Sequence, residues 1–279
     1  MKQHQTDSSS SSAGWTPDDI PFERIDRERV NADRQLFQQV AAASFIEITS
    51  DVYTRNLIEY FDGDEEIGHW LQNHWEPEEL QHGAALKRYV QTAWPDFDWE
   101  AAYRGFHEEY VATCRLEALE PTRAQELVAR CVVEMGTATG YRLLQTISPE
   151  PVLAQLAGHI KADEVRHYKY FYRFFRRYRE REDIGRLPVL RTLYGRLTAI
   201  NGEDIYYAFK HVFLASSGKR AFTDEDYEAF RRHSFRLARE HYPYEMGVKM
   251  LLKPLDLNHR LQRAAVPTLS AGIKHILMH

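Results

Sequence analysis

Apolar residues recur at intervals of three and four through most of this chain, and they nowhere alternate for more than a few residues. That pattern predicts an all-α protein. The stretch 27–61 reads as one long helix, with Phe37, Val40, Ala41, Ser44, Ile48 and Ile58 on a single stripe. Asp62-Gly63-Asp64 interrupts it. A second helix follows over 64–93, with Leu71, Trp75, Leu86 and Tyr89 on one face, and Pro95 stops it. A shorter helix is expected within 97–119. Pro121-Thr122 opens another, over 122–147, with Leu127, Cys131, Ala138 and Tyr141 aligned. Ser148-Pro149 ends it and starts the next, 152–181, striped by Leu153, Leu156, Ile160, Phe171 and Phe174. Helical stretches over 189–216 and 224–252 complete the pattern, the latter capped by Thr223. The mildly apolar end, 266–279, fits no element.

Several stripes contain polar residues that should not be there. Glu47 and Asp51 fall in the first, Glu79 and His82 in the second, Glu134 in the fourth, and Glu164 and His167 in the fifth. Residues three apart share a helix face, so each Glu-x-x-His pair points a carboxylate and an imidazole the same way. Three such pairs occur, Glu66/His69 being the other, and chance alone supplies about one. Placement separates them. Glu47 lies 16 residues before Gly63 and Glu79 lies 16 after it. Folded as a hairpin, the two sit level, roughly 24 Å from the turn. Glu134 lies 15 residues before Pro149 and Glu164 lies 15 after, so these also come level. Glu66 sits beside its turn and has no such partner.

A carboxylate buried without a partner costs several kcal/mol, so these side chains need a cation. Two Glu-x-x-His pairs plus one Glu from each of two other helices form a ligand set for two metal ions inside a four-helix bundle. Mixed carboxylate and imidazole ligands suit iron or manganese better than structural zinc. A metal-free alternative is a buried Glu–Arg network with Arg130, Arg142 and Arg166 as cations.

Composition changes this picture little. The formal charge is −5, which offers no reason to expect nucleic acid. Two cysteines, Cys114 and Cys131, read as buried thiols in a reducing compartment. No apolar run reaches the roughly 20 residues of a membrane span. The serine-rich start lacks the apolar core of a secretory signal, so a cytoplasmic location is expected. Residues 1–26 read as a disordered tail, 27–185 as the bundle, and 186–279 as a helical extension packed on it. The arginines of 171–181 read as a solvated helix end that complements the helix dipole, with docking of an acidic acyl carrier protein or ferredoxin as the alternative.

Four stretches resemble the ferritin-like di-iron carboxylate superfamily, and within it the soluble acyl-acyl-carrier-protein desaturases. Glu78-Glu79-Leu80-Gln81-His82-Gly83 is similar to that family's first Glu-Glu-x-x-His-Gly. Ala162-Asp163-Glu164-Val165-Arg166-His167 is similar to its Ala-Asp-Glu-x-Arg-His. Glu134 with Thr137 matches its Glu-x-x-Thr, and Glu47 fills the first-helix position. The resemblance covers 35–175. It implies a ferritin-like four-helix bundle with additional C-terminal helices, holding two iron ions, with manganese as an alternative in one position. Glu47, Glu79, His82, Glu134, Glu164 and His167 would be the ligands, with Glu79 and Glu164 bridging. Asp163 and Glu78 would orient the histidines, and Thr137 would assist proton delivery.

The implied activity is dioxygen-dependent desaturation or hydroxylation of a fatty-acyl chain. The implied partners are a ferredoxin-like electron donor, an acyl carrier protein and a second copy in a homodimer. Ala138-Thr139-Gly140-Tyr141 departs from the plant-type desaturase pattern, which leaves the substrate open. An oxygenase of a small metabolite, such as an amine N-oxygenase, is the second reading. Against it, Ile160 stands where N-oxygenases carry a further His. A non-enzymatic ferritin-like iron-binding protein is the third reading.

Overall fold

The computed structural model describes residues 14–198, 202–219 and 221–278. It is 83% helical, and no strand occurs among the described residues. The bundle is built from two helical hairpins. The first pairs α2 (Arg34–Ile48) and α3 (Ser50–Tyr60) with α4 (Glu65–Trp70) and α5 (Glu76–Ala93). A short α1 (Arg27–Asn31) precedes them, and α6 (Trp99–Val111) follows. The second hairpin is α7 (Arg123–Ile147) against α8 (Pro151–Arg181), and α5 also packs on α8.

The first helix of the sequence reading is therefore three. Asp33 breaks it once, accepting from the Gln35 and Leu36 amides as an N-cap. Thr49 breaks it again, its hydroxyl donating back to the Phe45 carbonyl. In the second helix, Leu71–Trp75 form one π turn between α4 and α5. Such single turns cluster at functional sites, and this one ends on Trp75. The stretch 189–216 also divides, into α9 (Arg186–Thr198) and α10 (Glu203–Ser217). Pro243 splits 224–252 into α11 (Asp224–His241) and α12 (Tyr244–Leu252). The unassigned end is α13 (His259–Met278). In this C-terminal region α9 and α12 pack on α7, and α10 packs on α6 and α2.

Residues 1–13 of the expected tail lie outside the described residues. Residues 14–26 do not follow that expectation. They form two short 3-10 turns, Pro17–Asp19 and Phe22–Arg24. Ile20 and Phe22 are buried in the core, because two large apolar side chains gain more from burial than the segment loses in freedom.

The core is divided. One apolar cluster joins α2, α5, α6 and the start of α8 through Phe45, Tyr89, Phe106 and Leu156. The other joins α3, α4, α7 and the end of α8 through Leu57, Ile67, Leu127 and Phe171. Glu47, Glu79, Glu134 and Glu164 fall between them. The apolar stripes are continuous in sequence but interrupted in space by one polar layer.

Candidate metal centre

All six predicted ligands meet in that layer, each no more than 6% exposed. They form two groups, Glu47, Glu79, His82, Glu164 and Glu79, Glu134, Glu164, His167. Within each group the ligand atoms lie within 4.8 Å of one another. Glu79 and Glu164 belong to both groups. His82 Nδ1 stands 3.2 Å from Glu164 Oε1, 3.9 Å from Glu47 Oε2 and 4.0 Å from Glu79 Oε2. His167 Nδ1 stands 3.0 Å from Glu79 Oε1, 3.5 Å from Glu134 Oε2 and 4.0 Å from Glu164 Oε2.

A donor-set test favours metal. His82 Nδ1, His167 Nδ1, Glu134 Oε2 and Glu164 Oε1 are buried and accept or donate no hydrogen bond. Buried polar atoms are normally satisfied, and these four converge on the two groups. Four carboxylates and two imidazoles fit two divalent ions in charge and in ligand type. Among the described residues no arginine forms an ion pair with Glu47, Glu79, Glu134 or Glu164. Arg130 pairs with Glu126 at 2.9 Å, and Arg142 donates to Gln145. The Glu–Arg network proposed as the alternative is absent from this layer.

The histidines are aimed by the opposite hairpin. His82 Nε2 bonds Asp163 Oδ2 at 3.0 Å, and His167 Nε2 bonds Glu78 Oε2 at 2.7 Å. Fixing Nε2 by a carboxylate leaves Nδ1 to face the centre. These are the two carboxylates that the sequence resemblance offered for orienting the histidines. Arg166 then spans both, with Nη1 2.8 Å from Asp163 Oδ1 and Nη2 2.9 Å from Glu78 Oε2. Thr137 Oγ1 donates to Glu164 Oε2 at 2.7 Å.

Electrostatics follow from this packing. Burial and the charge of Glu164 push Glu47 and Glu79 above the usual carboxylate range. Burial raises Glu134 to about 8. Burial would raise Glu164 too, but His82 and His167 hold it down at about 2. Burial works to lower His82, yet its hydrogen bond to Asp163 and the charge of Glu164 carry it up to about 10. Without metal, burial favours the protonated forms of Glu47, Glu79 and Glu134, while Glu164 is held in its charged form by the two histidines.

Four contacts lie outside the sequence reading. Trp15 Nε1 donates to Asp163 Oδ2 at 2.7 Å, and its ring stacks over His82 and His159. Trp75 Nε1 donates to Glu134 Oε1 at 3.1 Å. Tyr141 donates to Glu47, and Arg166 makes the span just described. Trp75 and Tyr141 stand on the same stripes as the ligands, so their faces were legible. Trp15 lay in a segment read as tail, where the only signal was the apolar set Trp15, Ile20, Phe22.

Gly83 explains how Glu47 comes so close. A Cβ there would lie 2.4 Å from the Ile48 backbone nitrogen, so only glycine lets α2 and α5 approach this far. Of the remaining predictions, Glu66 serves the fold, pairing with Arg173 at 2.8 Å and with Arg177. Arg177 also reaches Asp64 at 2.5 Å, so this part of the basic helix end is held within the chain.

No family model matches the chain. It is similar to a protein described as "Putative acyl-(acyl-carrier-protein) desaturase DesA2" in two strains of Mycobacterium tuberculosis, 30% identical over 124 residues. The match covers 42% of this chain and 41% of each relative's length. Among the described residues no helix is long and apolar enough to cross a membrane.

Proposed function

We propose that this protein is an oxygen-activating di-iron oxidoreductase whose substrate is a fatty-acyl chain. The observation that carries the reading is the pair of four-ligand groups sharing Glu79 and Glu164, with four orphaned donor atoms turned into them. The similarity to a desaturase supports the acyl substrate. Glu47, Glu79, His82 and Glu164 would hold one ion, and Glu79, Glu134, Glu164 and His167 the other. When bound, two irons supply the reduction of dioxygen and the oxidising power to break an unactivated C–H bond. Desaturation balances as one dioxygen taking two hydrogens from the chain and two electrons and two protons from outside, giving two waters. A ferredoxin-like protein would supply the electrons, and an acyl carrier protein would present the chain.

The chain's own residues set the conditions. Trp70 and Trp75 border His167, Phe171 packs edge-on against both, and together they keep bulk water from that side of the layer. Thr137 Oγ1, 2.7 Å from Glu164 Oε2, holds a proton against the centre and would assist its delivery there. Asp163 and Glu78 keep each imidazole turned with Nδ1 inward.

The test is elemental analysis after ferrous loading without oxygen, followed by exposure to oxygen and an optical spectrum. Two irons per chain and a near-ultraviolet ferric band support the reading. A chain that takes up no iron ends it. Incubation with acyl-carrier-protein-linked and free acyl chains, read by mass spectrometry, separates loss of two hydrogens from gain of an oxygen.

A further inference from the structure

The two histidines are joined twice. Inside the layer, Glu79 and Glu164 belong to both ligand groups. Outside it, a second path runs from His82 Nε2 to Asp163, from Asp163 to Arg166, from Arg166 to Glu78, and from Glu78 to His167 Nε2. Every step is 3.0 Å or shorter. The outer path crosses between hairpins, since Glu78 stands on α5 while Asp163 and Arg166 stand on α8.

We propose that Arg166 is a positioning residue that couples the two metal subsites, so that filling one orders the other. The inference rests on the di-metal reading above. Its physical basis is the shape of the guanidinium, whose planar fork presents two separate N–H arms. One arm holds Asp163 Oδ1, which leaves Oδ2 for His82. The other holds Glu78 Oε2, the same oxygen that receives His167. An ion that fixes His82 thereby fixes Asp163, the plane of Arg166, and Glu78. The second imidazole is then aimed before its ion arrives, and the second ion meets a smaller ordering cost. A lysine keeps the charge but is a point donor and cannot hold both carboxylates in one plane. Arg166 belongs to neither ligand group, and its side chain is 38% exposed.

The experiment is titration of metal-free protein with Co2+, followed by calorimetry and visible absorption, on the native chain and on Arg166→Lys, Arg166→Gln and Glu78→Gln. Circular dichroism confirms that helix content is retained. The native chain is expected to take two Co2+ in one unresolved transition. Arg166→Lys is expected to split this into two steps, with the second ion bound roughly 10- to 100-fold more weakly than the first. Glu78→Gln, which weakens the same arm from its other end, gives the same splitting. If Arg166→Lys and Arg166→Gln bind two Co2+ with the native ratio of constants, the coupling role is overturned and the di-metal centre stands. A native chain that binds no Co2+ overturns the di-metal centre and this inference together.

Discussion

Replacing Gly83 by alanine is the sharpest test of how the layer is assembled. The added Cβ would lie 2.4 Å from Ile48 N and 2.6 Å from Ile48 Cα and Cβ. Carbon contacts settle near 3.5–4.0 Å, so α2 and α5 must part by about 1 Å. Backbone is the obstacle, so no side chain can swing away. Overpacking of this kind costs about 1–3 kcal/mol. At about 2–4 °C per kcal/mol for a chain of this size, the melting temperature falls by roughly 2–12 °C. Metal binding is affected unequally. His82 Nδ1 and Glu47 Oε2 are 3.9 Å apart, close to the limit for two ligands that each reach about 2.1 Å to a shared ion. Parting α2 from α5 by about 1 Å takes Glu47 out of reach. Glu134 and His167, on α7 and α8, stay where they are. The expected outcome by scanning calorimetry and metal analysis is a lower melting temperature and one metal per chain. Gly140 is the control, because it is exposed and a Cβ there meets nothing within 4 Å. Gly140→Ala should stabilise by about 0.4–1 kcal/mol by restricting the unfolded chain. A Gly83→Ala protein with native melting temperature and two metals would refute the reasoning.

The metal-free protein should lose stability as pH rises from about 6 to 9. Glu134 at about 8, with Glu47 and Glu79 also raised by burial, keeps protons that the unfolded chain has released. His82 at about 10 contributes stability fully present below the ordinary histidine range and lost through 10. Both act in the same direction. Metal displaces these protons, so the rise in melting temperature on metal loading should be larger at pH 8.5 than at pH 6; a metal-free melting temperature that climbs over this interval contradicts the assignment. Glu79→Ala and Glu164→Ala each remove a residue common to both groups, and each should abolish stoichiometric binding of two irons; retention of two irons that react normally with oxygen would end the di-iron reading. Trp15→Phe keeps a ring over His82 but removes the donor to Asp163. Competition with a chelator should show roughly 10-fold weaker metal binding, and an unchanged affinity would make Trp15 a packing residue alone.

Much of the layer was legible because helical periodicity and hairpin counting are strong constraints. Equal distances from Gly63 and from Pro149 were enough to bring Glu47, Glu79, Glu134 and Glu164 together. Those distances survive the Thr49 break and the π turn at 71–75 because the chain stays helical across both. The breaks themselves were not legible. Thr49 interrupts through a hydroxyl bond to the Phe45 carbonyl, an option open to many helical threonines that do not use it. The role of Arg166 was hidden for a related reason. Its sequence position offered it as a cation for the buried carboxylates, and only the orientation of α5 against α8 sends it to the outer pair. Trp15 was missed because a single aromatic in a polar segment has no period, and its partners stand 67 and 148 residues away.

The exchange of histidine supports between hairpins also bears on assembly. His82 sits on one hairpin and is steered by Asp163 of the other, while His167 is steered by Glu78 in return. Neither hairpin alone carries a complete half of the centre. A chain emerging from synthesis presents Glu47, Glu79 and His82 long before Glu164 exists, so under the proposed di-iron function a folding intermediate would have only a fragmentary grip on ferrous iron. Capture would wait for the docked state. Iron held loosely in the presence of oxygen generates damaging radicals, and an interlocked site would withhold the metal until the surrounding walls of Trp70, Trp75 and Phe171 are in place.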